Sequence, residues 1–219
     1  MPIGSKSALP RERPRTHAEI NEYRRRALLE GAIRSFAEHG VAGTTNRTIC
    51  EAAGVSSGLI QHYFESKEKL VAAAFTHLFE SFAAAVAERV DAAGPTAADR
   101  LRALPRAILS PDLATDEVRN AFLTFWHEIR FNELVRAENK EFYAGYMGRM
   151  RTLFEEAAAE SGRPADADRA TKGLVCLLDG LWLNLTMAKP VLSAREADAI
   201  CQRYIDHELG GELGGEPAS

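Results

Sequence analysis

The sequence predicts an all-α protein, and three observations carry that prediction. Apolar residues recur every three to four positions through most of the chain, the spacing of one helical face. Helix-start signatures and Gly or Pro stops bracket these segments. No convincing stretch alternates apolar and polar residues as a half-buried strand does, and no internal repeat is present. With 46% hydrophobic residues in 219, there is enough apolar surface for a core. The pattern divides into an N-terminal three-helix domain containing a helix-turn-helix and a longer helical C-terminal domain.

Residues 1–15 hold Pro2, Pro10, Pro14, Gly4 and several Arg without periodicity. They read as a disordered, solvated tail in preference to an arm that brushes phosphates. Thr16-His-Ala-Glu19 is a capping box. It opens a helix to about His39, with Ile20, Tyr23, Ala27, Leu28, Ala32 and Phe36 toward a core. Gly40 stops it in the position after the C-cap.

Residues 45–64, TNRTICEAAGVSSGLIQHYF, are the most informative segment. Thr45–Ala53 places Ile49, Ala52 and Ala53 on one helical stripe. Gly54 supplies a position where positive φ costs little, Val55 plugs the corner, and Ser56 is placed to cap a second helix. In that helix Ile60 and Phe64 share the inward face, leaving Ser57, Gly58, Gln61 and His62 on the other. This is the layout of a helix-turn-helix, whose second helix enters the major groove of DNA.

Ser66 is placed to cap a long helix from Lys67 with the stripe Leu70, Ala74, Phe75, Leu78, Phe79, Phe82 and Val86, ending near Ala93-Gly94-Pro95. The domain boundary falls at its start. Thr96 opens a helix that Pro105 should kink or stop. Thr115 caps 116–131, and Asn132 caps a segment to about Glu160. After the turn Ser161-Gly-Arg-Pro164, with Pro164 suited to a first helical position, the most apolar helix runs from about Ala165 to Ala188. Lys189-Pro190 stops it. Ser193-Ala-Arg-Glu196 is a second capping box and opens a last helix to about Leu209. The domains expected are therefore a tail at 1–15, a helix-turn-helix domain at 16–66, a second domain at 67–209 and a flexible tail at 210–219.

Charge is uneven. The first 69 residues carry 11 Lys+Arg against 8 Asp+Glu, and the other 150 carry 16 against 23, on a chain of net charge −4. A modestly basic head on an acidic body suits DNA binding. No apolar run approaches the ~18–20 residues that cross a bilayer, and the polar N-terminus lacks a signal-peptide core. Three widely spaced cysteines, Cys50, Cys176 and Cys201, read as reduced thiols in a cytoplasmic protein. There is no glycine-rich phosphate loop, zinc spacing or nucleophile elbow. No catalytic residue, metal site or cofactor is therefore expected.

The spacing of Gly40, Thr45, Arg47, Ile49, Ala53-Gly54-Val55-Ser56, Gly58, Tyr63-Phe64, Lys67 and Leu70 resembles the tetracycline-repressor (TetR) family of bacterial transcription regulators over residues 28–72. Phe125-Trp126, Leu178-Asp-Gly-Leu-Trp182-Leu183 and Tyr204-Ile-Asp206 resemble its BetI-type branch, repressors that respond to choline. The resemblance implies an all-α homodimer in which the N-terminal three helices bind DNA and the C-terminal helices form a ligand-binding and dimerisation domain. It also implies DNA contacts from Thr45, Asn46 and Arg47, from Ser57, Gly58, Leu59, Gln61, His62 and Tyr63 on the recognition helix, and from Lys67. Gln61 stands where an aromatic is common and Leu59 where a hydroxyl residue is common, which leaves the operator sequence open.

Gln61 has the chemistry for bidentate bonds to adenine. Arg47 and Lys67 have the charge to neutralise phosphates, and Tyr63 has a hydroxyl for a phosphate and a ring to pack with Phe64. In the second domain Phe122, Trp126, Phe131, Tyr143, Tyr146 and Trp182 concentrate aromatic surface. Most of it should be core, with Trp126 and Trp182 the foremost pocket residues for a cation. Asp179, set in an apolar run, needs a partner such as a cationic ligand or a hydrogen bond, and Glu128 is a second acidic position. The ligand-binding set is thus Phe122, Trp126, Glu128, Tyr143, Tyr146, Asp179 and Trp182.

The expected protein is a non-enzymatic, ligand-responsive repressor. It binds double-stranded DNA at a palindromic operator, is released by a small-molecule inducer, dimerises through its last two helices and does not engage a membrane. Two rivals stay open at this point. One is an architectural DNA-binding protein without an inducer, the other a small-molecule-binding protein or enzyme with a vestigial head.

Overall fold

The computed structural model describes residues 16–56, 58–162 and 165–210, and among them every regular element is an α-helix. The elements are α1 (His17–Gly43), α2 (Asn46–Ala53), α3 (Leu59–Tyr63), α4 (Lys67–Asp91), α5 (Ala97–Ile108), α6 (Asp116–Glu128), α7 (Glu133–Ser161), α8 (Ala167–Thr186) and α9 (Ala194–Glu208). The tail 1–15, Ser57, Pro164 and the tail from 211 onward lie outside the described residues.

Local chemistry accounts for most helix ends. Thr16 and Glu19 form the capping box of α1, and Ser193 and Glu196 that of α9. Thr96 and Thr115 accept the third amide of α5 and α6, and the Asn132 side chain accepts from Leu134 and Val135. Gly40 and Gly54 both have φ of 67°, where a side chain would be strained. Four details depart from the sequence reading. Ser56 is not the cap of α3: Gly58 takes that place without a side-chain bond, so the recognition helix starts later and spans only five residues, Leu59–Tyr63. Pro105 lies inside α5, which runs on to Ile108. Buried Leu101, Leu104, Ala107 and Ile108 flank it, and each buried apolar side chain is worth ~1.5–3 kcal/mol against ~3 for an interior proline. Helix α6 stops at Glu128, and Phe131 beyond it is 69% exposed. Finally, α4 does contain an 18-residue window of mean hydropathy 1.6, long and apolar enough to cross a membrane, but 56% of that window is buried inside the protein, as in a core helix.

The chain packs as two compact units. One comprises the chain as far as Ala83 with Thr115–Phe142, the other Ala84–Ala114 with the chain from Tyr143 onward. In the first, α1 packs on α2 and α6. A Cβ at Gly31 would stand 2.7 Å from the Ala53 Cβ, so the small residue lets α1 and α2 approach. Phe36 and Phe75 both meet Phe125 edge-on, at 6.1 and 5.5 Å, and Phe79 stacks against Phe75 at 4.2 Å. The Thr124 hydroxyl donates to the Phe36 carbonyl at 3.2 Å, tying α6 to α1.

In the second unit α9 packs on α8 and α5 around Leu101, Met150, Phe154, Leu174, Leu178 and Ile205. Polar bonds join its helices at the rim. Glu160 accepts the Ala97 amide at 2.9 Å, Arg102 pairs with Asp206 at 2.8 Å, and the Gln202 amide donates to the Arg102 carbonyl at 2.9 Å.

Candidate nucleic-acid interface and ligand site

The interface is assembled around a buried hydroxyl cluster. The Ser35 hydroxyl lies between those of Thr44 at 3.2 Å and Thr48 at 3.1 Å, and the Thr44 hydroxyl donates toward the Gly40 carbonyl at 2.7 Å. These bonds satisfy polar groups at the α1–α2 corner that would otherwise be costly to bury. Thr45 and Thr48 exchange side-chain and backbone bonds in a capping box at the start of α2. The Arg34 guanidinium donates to the Ala52 carbonyl at 2.5 Å and closes the other end.

On this frame the recognition helix α3 buries Ile60, and Phe64 just after it is also buried. Gly58, Gln61 and His62 are exposed, and Leu59 and Tyr63 partly so. The His62 and Tyr63 rings meet edge-on at 4.9 Å. Thr45, Asn46 and Arg47 are exposed at the start of α2.

Besides Thr45, three of the sequence-predicted contacts have partners already. The Arg47 Nε donates to Glu51 at 2.8 Å. The Tyr63 hydroxyl donates to the Asn21 side-chain oxygen at 3.0 Å. The Lys67 ammonium donates to the Val41 carbonyl at 2.7 Å and the Thr44 carbonyl at 3.0 Å, capping the last turn of α1 with a positive charge. Lys67 keeps a third N–H. Sequence reasoning missed Asn21, whose only signal was its place between His17 and Arg25 on one polar stripe of α1.

The ligand candidates fall into both units. In the first, Phe122 is buried, with its ring 4.5 Å from Phe79 and 5.3 Å from Phe82. Trp126 is partly buried, and the Glu128 carboxylate lies 3.5 Å from the His127 ring nitrogen. In the second unit Tyr143, Tyr146 and Asp179 come together. The Tyr143 hydroxyl donates to the Asp179 carboxylate, and the Tyr143 and Tyr146 rings stand 6.0 Å apart. Trp182, three residues beyond Asp179 on α8, is 6% exposed.

Burial pushes the Asp179 carboxyl above the usual carboxylate range, while the Tyr143 hydroxyl pulls it back. Burial, then the Asp179 charge, pushes both phenols up. The cluster is therefore a carboxylate faced by neutral aromatic hydroxyls, chemistry that favours a cation. A separate open groove of about 540 Å³ runs between α8 and α9, lined by Lys172, Gly173, Cys176 and Tyr204 among others. Among the described residues no group of three or more His, Cys, Asp or Glu side chains could hold a metal ion.

Residues 28–74 match the pattern of "Bacterial regulatory proteins, tetR family", and residues 97–210 that of "BetI-type transcriptional repressor, C-terminal". The chain is 30% identical over 191 residues to the "HTH-type transcriptional regulator BetI" of Burkholderia thailandensis, spanning 85% of this chain and 94% of that one. Among solved structures, a transcriptional regulator of Pseudomonas aeruginosa PAO1 superposes with a TM-score of 0.77 at 30% identity, over 87% of this chain and 92% of that one. A regulator of Saccharomonospora viridis, solved in complex with choline, superposes with a TM-score of 0.73 at 24% identity, over 84% and 95%. With a helix-turn-helix head and a BetI-type C-terminal region, the chain belongs to the TetR family of DNA-binding transcriptional regulators and is not an enzyme.

Proposed function

We propose that the protein is a cytoplasmic, homodimeric repressor released from a palindromic operator by a small organic cation. The observation that supports the DNA half is the exposed set Gly58, Gln61 and His62 on a recognition helix whose Ile60 is buried beneath it. Gln61 and His62, with Ser57 and Gly58, read bases. Thr45, Asn46, Arg47, Leu59 and Lys67 complete the face toward the duplex and set its register, with Tyr63 at its edge bonded to Asn21. Residues 16–66 act as the DNA-binding head, and 67–209 bind the ligand and dimerise. The last two helices pair with their mates in a four-helix interface. The exposed apolar side chains of Leu183 and Met187 on and just after α8 support that pairing.

The inducer site proposed is Tyr143, Tyr146, Asp179 and Trp182, where a partly buried carboxylate accepts from the Tyr143 hydroxyl and a second tyrosine ring stands beside it. Choline in the Saccharomonospora viridis relative supports a cation of that class. Phe122, Trp126 and Glu128, the other candidates for ligand binding, lie in the first unit. Inducer acts by binding more tightly to the state in which the two heads are misplaced for adjacent major grooves.

The test is fluorescence anisotropy with duplex from the chain's own upstream region against random duplex, with and without choline, betaine aldehyde, polyamines and hydrophobic cations. Sequence-preferential binding that one cation weakens is expected. Gln61→Ala should relax preference at one base pair. Equal affinity for both duplexes, or indifference to every cation together with no thermal shift, overturns the corresponding half of the proposal.

A further inference from the structure

One face of α1 carries His17, Asn21 and Arg25, four residues apart. It meets the end of the recognition helix twice. The Tyr63 hydroxyl donates to the Asn21 Oδ1 at 3.0 Å, and the Arg25 guanidinium lies 5.6 Å from the centre of the Phe64 ring. The Asn21 Nδ2 in turn lies 3.2 Å from the His17 Nδ1.

A phenol has one proton, and that of Tyr63 is directed at Asn21. The direct Tyr63–phosphate bond expected from the sequence would require giving this bond up. The carboxamide of Asn21 is held at its oxygen by Tyr63 and at one N–H by His17. A carboxamide has a second N–H, which meets no partner among the described residues, and Asn21 is partly exposed. Because the His17 Nδ1 accepts from Asn21, the neutral ring carries its proton on Nε2 and offers that donor from an exposed side chain. Arg25 is exposed as well. The carboxylate of Glu19, one turn from these groups, is turned back onto the Thr16 amide at 3.0 Å.

We propose that this face of α1 is a second DNA-backbone contact, continuous with the recognition helix. The Asn21 amide and the His17 Nε2 donate to phosphate oxygens, Arg25 neutralises a phosphate, and Tyr63 is a positioning residue that orients Asn21. The inference rests on the DNA-binding reading above. It concerns phosphates alone, so it applies to any duplex sequence.

The experiment uses the full chain and a random-sequence duplex of about 30 base pairs, roughly three turns, titrated by anisotropy across a salt series. Asn21→Ala is expected to weaken binding about tenfold or more, the loss of one hydrogen bond to a charged acceptor. Asn21→Asp should weaken it further by placing a carboxylate against phosphate. Tyr63→Phe should weaken binding in the wild-type background and add nothing to Asn21→Ala, a pattern that a merely structural tyrosine would not give. Arg25→Gln should lower the slope of log affinity on log salt by about 0.9, and it reads the same face should an Asn21 variant fold poorly. Wild-type affinity in Asn21→Asp, an undiminished Tyr63→Phe effect on top of Asn21→Ala, or an unchanged slope in Arg25→Gln overturns the inference alone. A wild-type chain that binds no duplex at low salt overturns the DNA-binding reading and this inference with it.

Discussion

The Tyr204 ring lies across Gly173: a Cβ on that glycine would stand 1.9 Å from the phenolic oxygen and 2.7 Å from the ring carbon that bears it. The Tyr204 hydroxyl donates to the Ala170 carbonyl at 3.2 Å. A glycine nearly two turns into α8 thus sets how closely α9 can approach, and the tyrosine closes the contact with a hydrogen bond.

Gly173→Ala should therefore destabilise. The tyrosine must swing away and lose its bond, an overpacking cost of about 1–3 kcal/mol, against about 1 kcal/mol recovered in helix propensity. Gly148→Ala on α7, where a Cβ meets nothing within 4 Å, should stabilise by up to about 1 kcal/mol. Denaturant melts of the two variants should move in opposite directions.

Removal of the Lys67 ammonium should affect folding as well as DNA. Lys67 caps carbonyls of the α1 end from the first turn of α4, and Lys67→Met should lower stability by about 1 kcal/mol for the exposed charged bonds. It should also weaken all duplexes alike. Denaturant melts of the free protein and a salt series with random duplex read the two effects separately.

Asp179→Asn tests what the carboxylate is for. Burial raises its pKa, against the opposing pull of the Tyr143 hydroxyl, so the ionised group is held at some cost to the fold. The stability that protonation contributes is present below the unfolded carboxylate pKa and is lost as pH rises through the folded value. At neutral pH the uncharged amide, which still accepts from Tyr143, should leave the ligand-free melting temperature unchanged or higher while removing the thermal shift produced by cations. A lower melting temperature with the cation shift intact would contradict this assignment.

Acid should act on Asp112. The Arg89 guanidinium, paired with it, lowers its pKa from 3.8 to about 2, and Arg89 also donates to the Ser110 hydroxyl at 2.8 Å. A depressed carboxylate contributes stability that is present above the unfolded pKa and is lost as pH falls through the folded one. Asp112→Asn should accordingly flatten the melting-temperature curve between about pH 4 and 2. The pair is exposed, so the effect is modest.

Local signals read well and distant ones poorly. Thr16 with Glu19, Thr45 ahead of α2, Ser193 with Glu196, and Gly40 and Gly54 act within four residues of themselves, so their roles could be read from spacing alone. The helix-turn-helix was legible for the same reason. The exceptions were Ser56, Pro105 and Phe131, positions where local preference yielded to what the neighbouring helices buried or left in water.

By itself the sequence determined the helices, most of their caps and the exposed side of the recognition helix, because each follows from periodicity and from short-range hydrogen bonds. Tertiary structure alone decided which polar groups meet: Tyr63 with Asn21, Lys67 with Val41 and Thr44, Tyr143 with Asp179, and Tyr204 with Gly173. These pairs lie on different helices, far apart along the chain. Their meeting depends on how apolar faces pack against one another, and no spacing within a single helix encodes that.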